Sequence, residues 1–145
     1  MTKVLLATDG SAHSVRAAQT LRTIAERDQS IVVTVFHVAP LPDLTTPAAA
    51  GAPIPSPLMP DTYAQAQADR ALSVTMAALN LPPDRVRKTY VIGIPAEAIL
   101  TEARQGQYDL IVLGRRGLSP LKELFLGSVS QAVLHRSPCP VLIVP

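Results

Sequence analysis

LGRRGLSPLKELFLGSVS, Leu113–Ser130, joins a wholly apolar run to an apolar-striped one. Three of the chain's seven glycines fall in it, Gly114, Gly117 and Gly127, and the last leads directly into Ser128. The run before it, DLIVLG (Asp109–Gly114), has no polar face. That marks a strand covered on both sides, as in a parallel sheet. After Gly127, Val129, Ala132 and Val133 recur at helical spacing as far as Arg136-Ser137-Pro138, because a residue preceding proline is steered out of the α region. The stretch is a strand-to-helix connection, and the fold turns on whether the rest of the chain repeats that alternation.

It does. KVLLAT (Lys3–Thr8), IVVTVFHV (Ile31–Val38), VRKTYVI (Val86–Ile92) and PVLIV (Pro140–Val144) are further apolar runs bounded by turn residues. The third is the more amphipathic, which suits a strand nearer an edge. Between them lie helical patterns. Ser11 can N-cap a helix reaching about Asp28 with Val15, Ala18, Leu21 and Ile24 on one face. Another starts at Asp61 with Ala64, Ala68, Leu72 and Met76 inward. Pro95 suits the first turn of a third, striped by Ala96, Ile99, Leu100 and Ala103, and the fourth begins at Ser128. Strictly alternating β and α elements predict an α/β fold, an open five-stranded parallel sheet with helices on both faces. At 145 residues the chain is one domain. The exception to the pattern is Ala39–Pro60, which holds seven of the fourteen prolines. It reads as a flexible insert, either a spacer or a lid over a bound ligand.

Composition narrows the function classes. A net charge of +2, with basic residues scattered and no aromatics among them, argues against a nucleic-acid binder. The single cysteine, Cys139, excludes an internal disulfide and fits a reducing compartment. Flanked by prolines, it reads as a small buried filler rather than a redox thiol. The opening MTKVLLATDG has too short an apolar run for a secretory leader, and no stretch approaches the ~18–20 residues of a membrane span. The expectation is a cytoplasmic protein with no membrane partner. No His/Cys cluster has metal-ligand spacing.

In open parallel sheets, ligands bind beyond the carboxyl ends of the strands where strand order reverses. A glycine-bearing loop there, leading into a helix N-terminus, suits an anion. The first helical turn has unpaired N–H groups and the positive end of the dipole, and glycine lets the backbone come close. Ser128 and Ser130 add hydroxyls, and Arg115 and Arg116 can offset phosphate charge. Glycines can equally serve turn geometry alone. The stretch is neither a Gly-Lys-Ser/Thr phosphate loop nor a dinucleotide fingerprint, lacking the third glycine at the required spacing.

Gly114-x-x-Gly117, nine residues, then Gly127-Ser128 resembles the nucleotide-binding loop of the universal stress protein family, in its ATP-binding branch. KVLLATDGS, FHV, VIGIPAEAI and SPCPVLIVP resemble other segments of that family in the same order. The resemblance implies a Rossmann-like fold of the adenine nucleotide alpha hydrolase type. It also implies that Ala7 and Asp9 face adenine and ribose, that Val38 offers backbone groups to the adenine edge, and that Leu113 and Gly114 pack near the ribose. Gly117, Gly127, Ser128, Val129 and Ser130 would hold the phosphates of ATP, with Mg²⁺ bound mainly by phosphate oxygens. It implies a homodimer through the last strand, Val141–Val144, consistent with an apolar edge that needs covering.

Other roles stay open at single residues. Asp9 can be an ordinary residue of the helix start. His37 reads as structural at the end of a buried strand, His13 and His135 as exposed helix residues, and Lys122 and Glu123 as solvated loop charges with Lys122 within possible reach of a phosphate. No base is evident for hydrolysis. The expected function is therefore a nucleotide-dependent dimeric module used in stress response. The alternatives are a slow ATPase or self-phosphorylating protein using Ser128 or Ser130, and a dimeric scaffold with an empty site.

Overall fold

The computed structural model of the chain describes residues 1–41, 59–116 and 126–145. Its elements run β1 (Thr2–Thr8), α1 (Ala12–Arg27), β2 (Ile31–Pro40), α2 (Met59–Leu79), a short 3-10 turn (Pro83–Arg85), β3 (Val86–Gly93), α3 (Pro95–Gln105), β4 (Leu110–Gly114), α4 (Ser128–Arg136) and β5 (Val141–Val144). The five strands form one parallel sheet in the order β3-β2-β1-β4-β5. The expected α/β architecture is the one observed. VRKTYVI lies at an edge, where exposed Arg87, Lys88 and Thr89 blunt the open ladder.

Burial on both sides of the central strands explains their lack of a polar face. Val4 and Leu6 of β1 pack with α1 and α2 in one aliphatic cluster. Leu5 and Ala7, the alternate residues, pack with Ile99, Leu100 and Ala103 of α3 and Val133 of α4 in a second. A strand whose successive side chains enter two different cores has to be apolar throughout.

The helices begin and end near the expected places, with instructive shifts. Ser11 caps α1, its hydroxyl accepting from the Ser14 N–H at 3.2 Å. The buried stripe of α1 is Ser14, Ala17, Ala18, Leu21 and Ala25, rotated from the expected one, and Ile24 is left exposed. Small residues let the helix sit close to the sheet, and the bulkier Ile24 is pushed to the margin. α2 stops at Leu79, and the next residue, Asn80, adopts φ of 45°, a left-handed conformation that asparagine tolerates. The proline-rich insert is shorter at both ends than expected, since Ala39 and Pro40 finish β2 and Met59 and Pro60 open α2. Proline is tolerated at both places because a strand end and a first helical turn need no amide donor there. Residues 42–58 of that insert lie outside the described residues. No helix among the described residues is long and apolar enough to cross a membrane.

Away from the carboxyl ends of the strands, Arg85 pins α1 to the sheet. Its guanidinium is buried and donates to the carbonyls of Ile31 (3.0 Å), Ala25 (2.9 Å) and Asp28 (2.9 Å), and to the Gln29 side-chain oxygen (2.7 Å). Hydrogen bonds from a charged group contribute about 1.5–3 kcal/mol each, and carbonyls left unpaired inside add a penalty. Arg85→Met is expected to lower unfolding free energy in urea by about 2–4 kcal/mol, with the ligand affinity of the opposite sheet end unchanged.

Candidate functional site

β1 and β4 are neighbours, yet their connections leave in opposite senses. α1 and α2 cover one face, and α3 and α4 the other. The loops therefore part at the carboxyl ends of these two strands and leave a crevice.

Two glycines set how tightly it is built. A β-carbon on Gly114 would stand 2.6 Å from the His13 carbonyl carbon, so the first turn of α1 rests directly on the end of β4. Gly10 has φ of +77°, and a β-carbon there would lie 3.1 Å from Ala71 Cα of α2. Asp9 organises the turn between them, one carboxylate oxygen accepting from the Ser11 N–H (2.9 Å) and the Ser14 hydroxyl (2.7 Å).

A hydrogen-bond relay fastens α2 to the same turn. Thr75 donates its hydroxyl to the Ala71 carbonyl at 2.7 Å. Thr8 must then be the donor in its 2.6 Å contact with Thr75, and Thr8 in turn accepts from the Gly10 N–H at 3.0 Å. The chain of bonds has one polarity, and every hydroxyl in it is satisfied.

α4 closes the other side. The Ser130 hydroxyl donates to the Gly114 carbonyl at 2.8 Å, and the Gly127 N–H to the Arg115 carbonyl at 2.9 Å. Two donors expected at a phosphate are thus engaged within the protein. The donors that remain are the amides of Ser128, Val129 and Ser130. They precede the first bond that closes the helix, Gln131 N–H to Gly127 carbonyl at 2.9 Å, and no side chain among the described residues caps them. Ser128 is exposed. In contrast with α1, capped by Ser11, the first-turn amides of α4 have no partner among the described residues.

The crevice is a cavity of about 680 Å³, within the ~300–1,000 Å³ usual for small-molecule sites. It brings together Ala7, Asp9, Val38, Leu113, Gly114, Arg116, Gly127, Ser128, Val129 and Ser130. Gly117, Lys122 and Glu123 lie outside the described residues. The sequence reading missed one wall entirely, formed by Gln67, Arg70, Ala71 and Val74 of α2, and also Pro95 and Ile99 of α3. The α2 residues follow a second helical stripe, i, i+3, i+4, i+7, beside the core stripe that drew attention first.

His37 also lines the cavity and is buried. Its Nδ1–H donates to the Thr8 carbonyl at 2.8 Å, while Nε2 has no partner among the described residues. His13, expected to be exposed, is half-buried in the first turn of α1. Partial burial, with Arg16, Arg116 and Arg115 around it, holds its pKa below the ordinary 6.5, and Asp9 opposes that only weakly. Arg16 donates to His13 Nδ1 at 3.1 Å, which favours the neutral form. The surroundings of the cavity are cationic, with Asp9 as the counter-charge. Cys139 is half-buried rather than fully buried, and packs against the cluster below α3 and α4. Among the described residues no three His, Cys, Asp or Glu groups could share a metal ion.

Fold and site together define a doubly wound α/β protein with a nucleotide-binding type of fold and a cavity at its topological switch point. The chain matches the universal stress protein family over residues 1–145 and belongs to it. A universal stress protein of Thermus aquaticus is 38% identical over 141 residues, 97% of this chain and 96% of that protein. Among solved structures, UspA of Lactobacillus plantarum is similar with a TM-score of 0.77 at 24% identity, covering 99% of this chain and 97% of that one. A universal stress protein in complex with cAMP is similar at 28% identity and a TM-score of 0.62, covering 99% and 95% of the two chains. An Arabidopsis thaliana member with AMP bound has a TM-score of 0.66 at 19% identity, covering 99% and 91%.

The His13 microenvironment is directly measurable. Its imidazole resonance is expected to titrate below pH 6.5. Arg16→Ala is expected to move the midpoint upward, because a neighbouring cation disfavours a second one.

Proposed function

We propose that this universal stress protein is an ATP-binding regulatory module that works as a homodimer in the cytoplasm, with all 145 residues forming one domain. The observation that carries the reading is the uncapped first turn of α4 opening into the cavity beside Arg116. Three amides there supply hydrogen bonds to charged oxygens of about 1.5–3 kcal/mol each, about 5–9 kcal/mol gross. Association costs at least ~4 kcal/mol, so the phosphate end alone binds weakly. Burial of a base at the far end is required for micromolar affinity, about −8 kcal/mol. The AMP and cAMP complexes of the similar proteins support an adenine base.

In this reading Ala7 and Val38 flank the adenine, Val38 through its backbone. Asp9 keeps the Gly10–Ser14 turn in place and presents its carboxylate toward the ribose. Leu113 and Gly114 form the floor, and Gly117 belongs to the phosphate loop. Mg²⁺ would be held by phosphate oxygens, with Asp9 the one carboxylate among the described cavity residues, and would neutralise charge on the triphosphate. The homodimer reading rests on β5, an apolar edge strand whose Val141, Leu142 and Ile143 are only half-buried; pairing with a second copy would cover it.

Binding is favoured over hydrolysis by the described residues around α4. Arginines and serines stabilise charge but cannot activate water. The imidazole of the α1 first turn, His13, is occupied by Arg16 and is not a cavity residue.

Ser128 stands at the first helical position of α4, where proline is structurally welcome but carries no N–H. Ser128→Pro is therefore expected to weaken ATP binding about 10- to 150-fold, the value of one charge-assisted bond, and to leave adenosine affinity unchanged in calorimetric titration. Equal affinities of the wild type for ATP and adenosine would remove the phosphate cradle. For the dimer, Ile143→Arg is expected to give monomers in sedimentation velocity.

A further inference from the structure

The α2 wall of the cavity has no role in the reading above, and its chemistry is specific. Thr75 and Ala71 tie α2 to the end of β1 through the Thr8 relay and the close approach to Gly10. That anchoring holds Arg70 and Val74 at the cavity. Val74 is 45% exposed, unusual for a β-branched side chain on a packed helix. Arg70 is exposed too, and makes no hydrogen bond or ion pair among the described residues. A cation and an apolar branch, both uncovered and both facing one cavity, lack the ligand surface that would cover them.

We propose that Arg70 and Val74 form the base-side wall of the site, with the Arg70 guanidinium laid against the face of the purine. The inference rests on the nucleotide reading above and adds the residue that reads the base. Position decides between base and phosphate. The anion donors are at α4, which leads out of β4, whereas α2 packs on β2 and β1. α2 packs chiefly on β2, two strand spacings or about 10 Å from β4 across the sheet, and touches the exit of β1 between them. Entering from that side of a cavity open to water, where a Debye length of about 8 Å screens charge, Arg70 is placed for the base rather than for the phosphates. A planar, weakly hydrated guanidinium is instead suited to stack on an aromatic ring. Such contacts span about 0.5–2 kcal/mol, or about 2- to 30-fold in affinity.

Arg70→Ala and Arg70→Lys in the full chain are titrated with adenosine and with ATP–Mg²⁺ at two salt concentrations. Both are first checked for an unchanged thermal midpoint without ligand. Arg70→Ala is expected to weaken adenosine and ATP by the same factor, within that 2- to 30-fold range, and to leave the salt dependence of ATP binding unaltered. Arg70→Lys, which keeps the charge without the plane, is expected to recover only part of the loss. A loss confined to ATP and steepened by low salt would make Arg70 a phosphate ligand and overturn the proposal. So would two unchanged affinities. The ATP-selective loss in Ser128→Pro tests the phosphate cradle separately; a wild type that binds neither ligand would remove both readings together.

Discussion

The first turn of α1 and the last residue of β4 meet where no side chain fits. A β-carbon on Gly114 would be 2.6 Å from the His13 carbonyl carbon and 2.8 Å from its Cβ. That contact joins the exit of β1 to the exit of β4, the two strands between which the chain changes direction. The Gly114 carbonyl, on the other side of the same residue, accepts from Ser130 of α4. One glycine thus holds two helices from opposite faces of the sheet at a fixed separation. The crevice has its width because of it.

This changes what the glycines are for. Their expected role is to admit phosphate oxygens to the backbone. For Gly114 the observed role is to admit another part of the protein, and the Gly127 amide likewise turns inward, to Arg115. The open donors lie one step further on, in the first turn of α4, where an α-helix cannot supply partners of its own. The arrangement separates rigidity from recognition. Groups that set the shape are satisfied internally, and among the described residues the open amides lie together in the first turn of α4.

The sheet was legible in the sequence because parallel strands carry their signature locally. Leu5 and Leu6 enter different cores and both must be apolar, and the same holds for Ile111 and Val112. Helix starts at Ser11 and Pro95 were equally plain, since capping acts within a turn or two. The face a helix buries was less so. Ile24 looked inward on periodicity and is exposed, whereas Ala17 and Ala25 are buried. Close packing of α1 selected for size where the pattern had weighed hydrophobicity. The α2 wall could not be found from its own residues, since Gln67, Arg70 and Val74 look like an ordinary solvated flank. The Thr8–Thr75 relay, between residues 67 apart in the chain, and the close approach of Ala71 to Gly10 turn that flank toward the site.

By itself the sequence determined the alternation of strands and helices, the apolar character of the central strands, the family and the loop at which an anion would be sought. These follow from interactions spanning a few residues, or from a spacing preserved along the chain. Tertiary structure alone decided which amides stay open, which glycines serve packing, and that α2 forms a side of the cavity. Each of those depends on where groups distant in sequence come to rest, because a hydrogen bond or a steric contact is fixed by separation in space.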